Sequence, residues 1–230
     1  MQQTLGHRDQ ADAFGADAGR WPAVFPYIRQ IGVVDMTYPY KLHPKAELAI
    51  DPRMSLSQHF HLHEFTRSQT AEKYDLYNVP REEAEVANLK ALSINVLEPV
   101  RALFDRYVII TSGFRCATLN RLIGGAITSQ HLFGEAADII IRGVPVCDAA
   151  LAIVGSGIAF DQLIYEARLR GDAWQEWLHV SHRRLGPNRG EVLTCVQDVD
   201  GKRTLAGIQP VVDQTLSTTA RSDAGGAHAA

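Results

Sequence analysis

The chain has 230 residues, 46% hydrophobic and 21% charged, which is ordinary for a globular protein and enough to bury one core. Its formal net charge of −3 supplies no basic stripe, which argues against nucleic acid as a partner. Cys116, Cys147 and Cys195 are widely spaced without a C-x-x-C pair, so they read as buried or half-buried thiols rather than a disulfide framework or a zinc knuckle. No apolar run approaches the roughly 20 residues of a membrane span, and the first twenty residues lack the basic and apolar regions of a secretory leader. The expectation is a chain made in the cytoplasm, with oligomeric state left open.

In chain order, residues 1–53 carry scattered Gly, Pro and aromatic residues without a sustained period and read as a poorly defined extension. From Met54 the sequence suggests short helices and turns. After Pro80, "REEAEVANLKALSINVLEPVRALFDR" places Leu89, Leu92, Val96 and Leu103 at helical spacing with acidic residues in the first turn, and Pro99 predicts a kink or break. The β-branched run 107–112 reads as a buried strand, 117–123 as a helix ended by Gly124-Gly125, and 137–141 as a strand. A glycine-closed helix follows at "VCDAALAIVGSG", then strands at 160–166, 177–182 and 191–196. Residues 198–230 read as a tail, partly disordered, above all from Leu216. Helices first and strands afterwards favour an α+β fold with a mainly antiparallel sheet and flanking helices.

Three histidines alternate in "HFHLHEF". On a strand His59, His61 and His63 would share a face, but the flanking residues look helical and no acid stands ready to complete the set, so they read as exposed polar residues at a helix entrance. His131 and Asp138 differ. Gly134, Ala136 and Ala137 between them remove side-chain bulk, and a carboxylate entering the apolar run "DIII" is costly without a compensating charge. A cation would compensate it; an aspartate capping a turn at a strand entry is the competing reading. In "EWLHVSH", His179 alternates with Leu178 and Val180 and offers a third ligand, whereas His182 reads as an ordinary surface histidine. Two histidines and one aspartate around an open position match the hydrolytic type of zinc site.

These residues resemble a family. "SQHLFGEAAD" is similar to the S-x-H-x-x-G-x-A-x-D motif of the zinc D-Ala-D-Ala peptidases of the M15 class, "WLHVS" to their W-x-H-V-S motif, and "TSGFRC" to the S-G-[YF]-R segment before them. The opening "LSQHFHLHEFTRSQTA" and closing "NRGEVLT" resemble the phage- and prophage-associated branch. The likeness covers about 54–197, which also raises Met54 as an alternative start.

The resemblance implies a fold shared with the hedgehog signalling domain, one zinc ion held by His131, Asp138 and His179, and peptidoglycan stem peptides as substrate. It assigns Arg115 to the substrate's terminal carboxylate and Ser129 and Gln130 to the cleft wall. For the base that activates water it leaves two candidates. Glu176 stands three residues before His179, which in a regular strand faces the wrong way. Glu166 ends the preceding strand, where a hairpin of suitable register would bring it to the face of His179. The segment "ARLRGDAWQ" between these strands is long for the branch. Carboxypeptidase and endopeptidase activity fit the same constellation, and a non-catalytic zinc-holding wall-binding or phage structural module is the alternative.

Overall fold

The computed structural model describes residues 50–211, so the expectations for residues 1–49 and for the end beyond Val211 lie outside the described residues. Its first part is helical. Helix α1 (Leu62–Thr66) starts at His61, whose backbone N–H donates to Glu64 Oε1 at 2.8 Å, and it buries Leu62 and Phe65. Ser68 caps α2 (Gln69–Lys73) by accepting from the Ala71 N–H. Helix α3 (Glu83–Leu92) opens with a capping box between Glu82 and Glu85.

The predicted break near Pro99 takes the form of a π-helical segment, Ser93–Leu97, running into α4 (Glu98–Phe104). Pro99 has no N–H to offer Asn95, and the widened turn just before it absorbs the missing bond. The widening also rotates the apolar face. Leu89, Leu92 and Val96 are buried as their spacing predicts, but Leu97 and Val100 follow them into the core while Leu103 is 45% exposed.

The remaining elements are β1 (Val108–Ser112), α5 (Ala117–Leu122), a 3-10 turn (Gln130–Phe133), β2 (Ala136–Ile141), α6 (Val146–Gly155), β3 (Gln162–Arg170), β4 (Ala173–Ser181), β5 (Glu191–Asp198) and β6 (Gly201–Ala206). They build one six-stranded sheet in the order β1-β2-β4-β3-β5-β6, antiparallel throughout except where β3 meets β5. The fold is α+β with helices flanking a mainly antiparallel sheet.

Two stretches differ from the expectation. "ARLRGDAWQ" is not a linking segment: β3 and β4 run through it and close on a two-residue turn, with Arg170 opposite Ala173 and Gly171 at φ 58°. Strand β6 falls where only a tail was expected. Its "GKRTLA" is almost wholly exposed on a sheet edge, so it carries no apolar alternation to announce it.

One face of the sheet is the core face. Ala137, Ile139, Ile141, Leu163, Tyr165, Ala167, Leu178 and Val180 lie in one apolar cluster with Cys147, Ala149, Ala150 and Ile153 of α6 and the buried residues of α3 and α4. Because side chains alternate along each strand, the intervening residues point to the other face, and Asp138, Glu166 and His179 are among them.

Candidate metal centre

Asp138 on β2 and His179 on β4 are direct cross-strand partners. Each is flanked along its strand by buried apolar residues, Ala137 and Ile139 for Asp138, Leu178 and Val180 for His179, so core packing fixes the direction of both polar side chains. His131 arrives from the 3-10 turn, which ends at Gly134 with φ 70°. A Cβ at Gly134 would lie 2.5 Å from the Glu85 carbonyl oxygen, so this close approach of turn to helix requires glycine. Gly113, just past β1, is similarly tight: its Cβ would lie 2.6 Å from Phe65 Cα in α1.

The three side chains close into a triangle. His131 Nε2 is 3.1 Å from Asp138 Oδ1 and 3.1 Å from His179 Nδ1, and the latter two atoms are 3.0 Å apart. His131 Nδ1 donates to the Gly113 carbonyl at 2.6 Å, which leaves Nε2 as a bare lone pair facing its two neighbours. Asp138 is oriented from behind, where Arg115 Nη2 donates to its Oδ2 at 2.6 Å and leaves Oδ1 turned inward. A lone pair on nitrogen and a carboxylate oxygen converging with a second imidazole is a donor set that fits a small divalent cation with nitrogen and oxygen ligands, zinc above all. Among the described residues these three form the one group of such side chains close enough to hold an ion together.

The electrostatics agree. Burial lowers the His131 pKa, outweighing the pull of Asp138, and so favours the neutral ligand form. Burial alone would raise the Asp138 carboxyl, but the charge and hydrogen bonds of His131 and His179 hold it far below the usual range, as a carboxylate.

Glu166 lies opposite Trp177 on β4, and His179 is two residues beyond Trp177, so Glu166 and His179 share a face as diagonal neighbours. Burial, followed by repulsion from Asp138, raises the Glu166 carboxyl above its ordinary value. Glu176 lies opposite Ala167 and points to the other face, where the Tyr165 hydroxyl donates to it. The two candidate bases are therefore on opposite sides of the sheet.

Arg115 is half-buried. Its Nε and Nη2 both donate to Ser112 Oγ, and Nη1 has no protein acceptor among the described residues. Ser129 precedes the 3-10 turn, half-buried, without capping it. Gln130 turns its amide toward Asp161 Oδ2 at 3.0 Å and Glu135 Oε2 at 3.4 Å, and its Oε1 is buried without a partner. The expectation for His182 is corrected: it is buried at 9% exposure, with the side-chain amides of Asn95 and Asn188 at its two ring nitrogens. His59 pairs with Glu98, 39 residues away, and His61 stands before α1, so the alternating histidines sit at a helix entrance. Ser112 and Gly113, which hold Arg115 and His131, were not singled out in the sequence, although "TSGFRC" contains both.

The family described as peptidase M15 matches residues 58–168, a span that carries Arg115, Ser129, Gln130, His131, Asp138 and Glu166 and stops before Glu176 and His179. No curated protein matches the chain.

Proposed function

Because the chain belongs to the peptidase M15 family, we propose that it is a zinc-dependent peptidase that hydrolyses peptidoglycan stem peptides, as a D-Ala-D-Ala carboxypeptidase or a related endopeptidase. The observation that carries the reading is the position of Glu166 on the face of His179 and Asp138, with a carboxyl whose pKa is raised. His131, Asp138 and His179 would hold the ion. Bound zinc would supply Lewis-acid polarisation of a carbonyl and a water acidic enough to act near neutral pH.

The remaining chemistry belongs to side chains of this chain. Glu166 takes the proton from the attacking water and returns it to the leaving nitrogen, a task suited to a carboxyl whose pKa lies above the ordinary value. Diagonal positions across an antiparallel pair are roughly 7–8 Å apart, which leaves room for a water between the Glu166 carboxylate and the metal-holding residues. Arg115 fixes Asp138 through Oδ2, and its open Nη1 is the group left for a substrate carboxylate. Gly113 keeps His131 in the tautomer that presents Nε2. Glu176 has no part in the reaction on this reading, since it faces Tyr165.

No helix among the described residues is long and apolar enough to cross a membrane. The peptidoglycan assignment therefore implies action at the cell wall, as a lysin or virion-borne enzyme or in wall remodelling, by a protein that meets its substrate without a helical anchor in this part of the chain.

The test is zinc content together with product release from purified peptidoglycan, for wild type and His131→Ala. About one zinc per chain with cleavage, both lost in His131→Ala, is the expected result. Zinc-loaded protein that releases nothing from any peptidoglycan would overturn the peptidase reading and favour a non-catalytic wall-binding module.

A further inference from the structure

The face that carries Asp138 and His179 is organised in rows across the strands. His179 lies beside Ile164 in the first row; Trp177 and Glu166 form the second. The third crosses four strands: Gln175 on β4, Arg168 on β3, Gln197 on β5 and Lys202 on β6 are successive register partners. Side chains of registered partners point to the same side, so this row stands on the same face as the candidate metal centre.

Two cations in that row make no ion pair among the described residues; an acid that shares their face is Glu166 in the second row, whose carboxyl feels the charge of Lys202 without an ion pair between them. Neither Arg168 nor Lys202 makes an ion pair or a side-chain hydrogen bond among the described residues, although surface arginines elsewhere in the protein do pair, as Arg189 does with Asp161 and Arg203 with Asp198. Arg168 Nε is shielded from solvent with no acceptor in reach. Its guanidinium carbon lies 5.7 Å from the centroid of the Trp177 ring, a cation–π contact that sets the charged group against the second row. A buried N–H without an acceptor costs free energy, and a planar guanidinium held by a ring is prepared for bidentate binding of a carboxylate.

We propose that Arg168 and Lys202 form an anion-recognition row that binds a carboxylate carried by the substrate peptide at a distance from the reacting bond. The proposal rests on the peptidase reading and deepens it. From Ile164, the register partner of His179, to Arg168 is four residues along β3, about 13 Å at the usual strand rise. An extended peptide covers that distance in about four residues. A dipeptide reacting at the centre does not reach the row, whereas a longer peptide bearing an acidic residue does. The row therefore selects for substrate length and charge together, and the register partners of Arg168 within it, Gln175 and Gln197, are neutral amides.

The test uses the zinc-loaded full chain and two pairs of oligopeptides. Each pair shares its reacting residues and differs only in a glutamate or a glutamine about four residues away, on the amino side in one pair and on the carboxyl side in the other. Binding is measured by calorimetry and cleavage by product release. In one of the pairs the glutamate form is expected to bind wild type about tenfold more tightly. Arg168→Gln abolishes that preference, Lys202→Gln weakens it, and Arg168→Lys retains only part of it because the point charge loses bidentate geometry. Equal binding of both members of both pairs by wild type, or a full preference surviving in Arg168→Gln, would overturn the proposal. A preference in binding without cleavage of any peptide leaves the anion row standing and removes the peptidase reading instead.

Discussion

Glu166 and His179 stand diagonally on neighbouring strands of one sheet face, while Glu176, only three residues from His179 in sequence, is on the other face. Replacing each glutamate should therefore give different outcomes. Glu166→Gln is expected to keep zinc and lose about 10²–10⁴ in turnover, the usual worth of a general base. Glu176→Gln should leave the metal and most of the turnover in place and act on stability, because it changes the acceptor of the buried Tyr165 hydroxyl, at about 1 kcal/mol. Zinc analysis, single-substrate kinetics and thermal melts of both variants separate the roles. Equal loss of turnover in the two would sink the assignment.

The same carboxyl sets a pH dependence. A base works when deprotonated, so the rate falls as pH drops through its pKa. Burial and the neighbouring Asp138 charge raise that pKa above the ordinary 4.5. The acid limb of kcat/KM should accordingly lie above 4.5, and no such limb should remain in the residual activity of Glu166→Gln. A wild-type rate that stays flat down to the ordinary glutamate value would exclude Glu166 as the group being titrated.

Much of this was legible because strand periodicity and motif spacing carry it. The alternation in "WLHVS" puts Leu178 and Val180 in the core and His179 on the opposite face, and the carboxylate at the head of the apolar run "DIII" marks Asp138 as a group in need of compensation. What escaped depended on partners far away in sequence. Which of Glu166 and Glu176 shares the face of His179 depends on the register of β3 against β4, which no local pattern encodes. His182 reads as a surface residue until Asn95 and Asn188 close over it. Strand β6 is exposed at almost every position, and only its pairing with β5 makes it a strand. The exposure of Leu103 came from the π-helical turn, a change of phase that a uniform helical period cannot anticipate.

Gly134 offers a test of how the His131 turn is seated. Its φ of 70° and the 2.5 Å approach to the Glu85 carbonyl leave no place for a methyl group, since the obstacle is helix backbone. Gly134→Ala should cost about 1–3 kcal/mol through strain and displaced packing. Because the turn also carries His131, zinc affinity should fall with stability. Chelator competition alongside denaturant titration would check both. An alanine variant with unchanged stability and metal affinity would mean that the turn and α3 are not locked together here.

Arg115 can be divided into two functions by substitution. Its Nη2 orients Asp138, and its Nη1 is free of protein acceptors among the described residues. Arg115→Gln removes both, so zinc affinity should drop about 10–100-fold, the usual effect of losing a group that orients a metal ligand. At saturating zinc, KM for a substrate with a free terminal carboxylate should still rise, while KM for its amidated analogue should not. A KM effect identical for the two substrates would confine Arg115 to holding Asp138.

Asp161 tests whether the end of the sheet beside the centre is held electrostatically. The carboxylate is wholly buried; Arg189 Nη2 donates to it at 2.5 Å, Arg183 Nε lies 3.3 Å away, and Gln130 reaches the same group. Burial alone would raise its pKa, but the hydrogen bonds and charge of Arg189 bring it below the ordinary 3.8. A depressed folded-state pKa contributes stability that is present above the ordinary value and is lost as pH falls through the lower one. Asp161→Asn should therefore destabilise the protein at neutral pH, by about 1–3 kcal/mol for charge-assisted bonds to half-exposed arginines. The gap between variant and wild type should narrow as the pH is taken below 3.8. Urea melts of the two proteins across that range measure it, and a gap that is constant with pH would show that the substitution acts through packing and not through the charge.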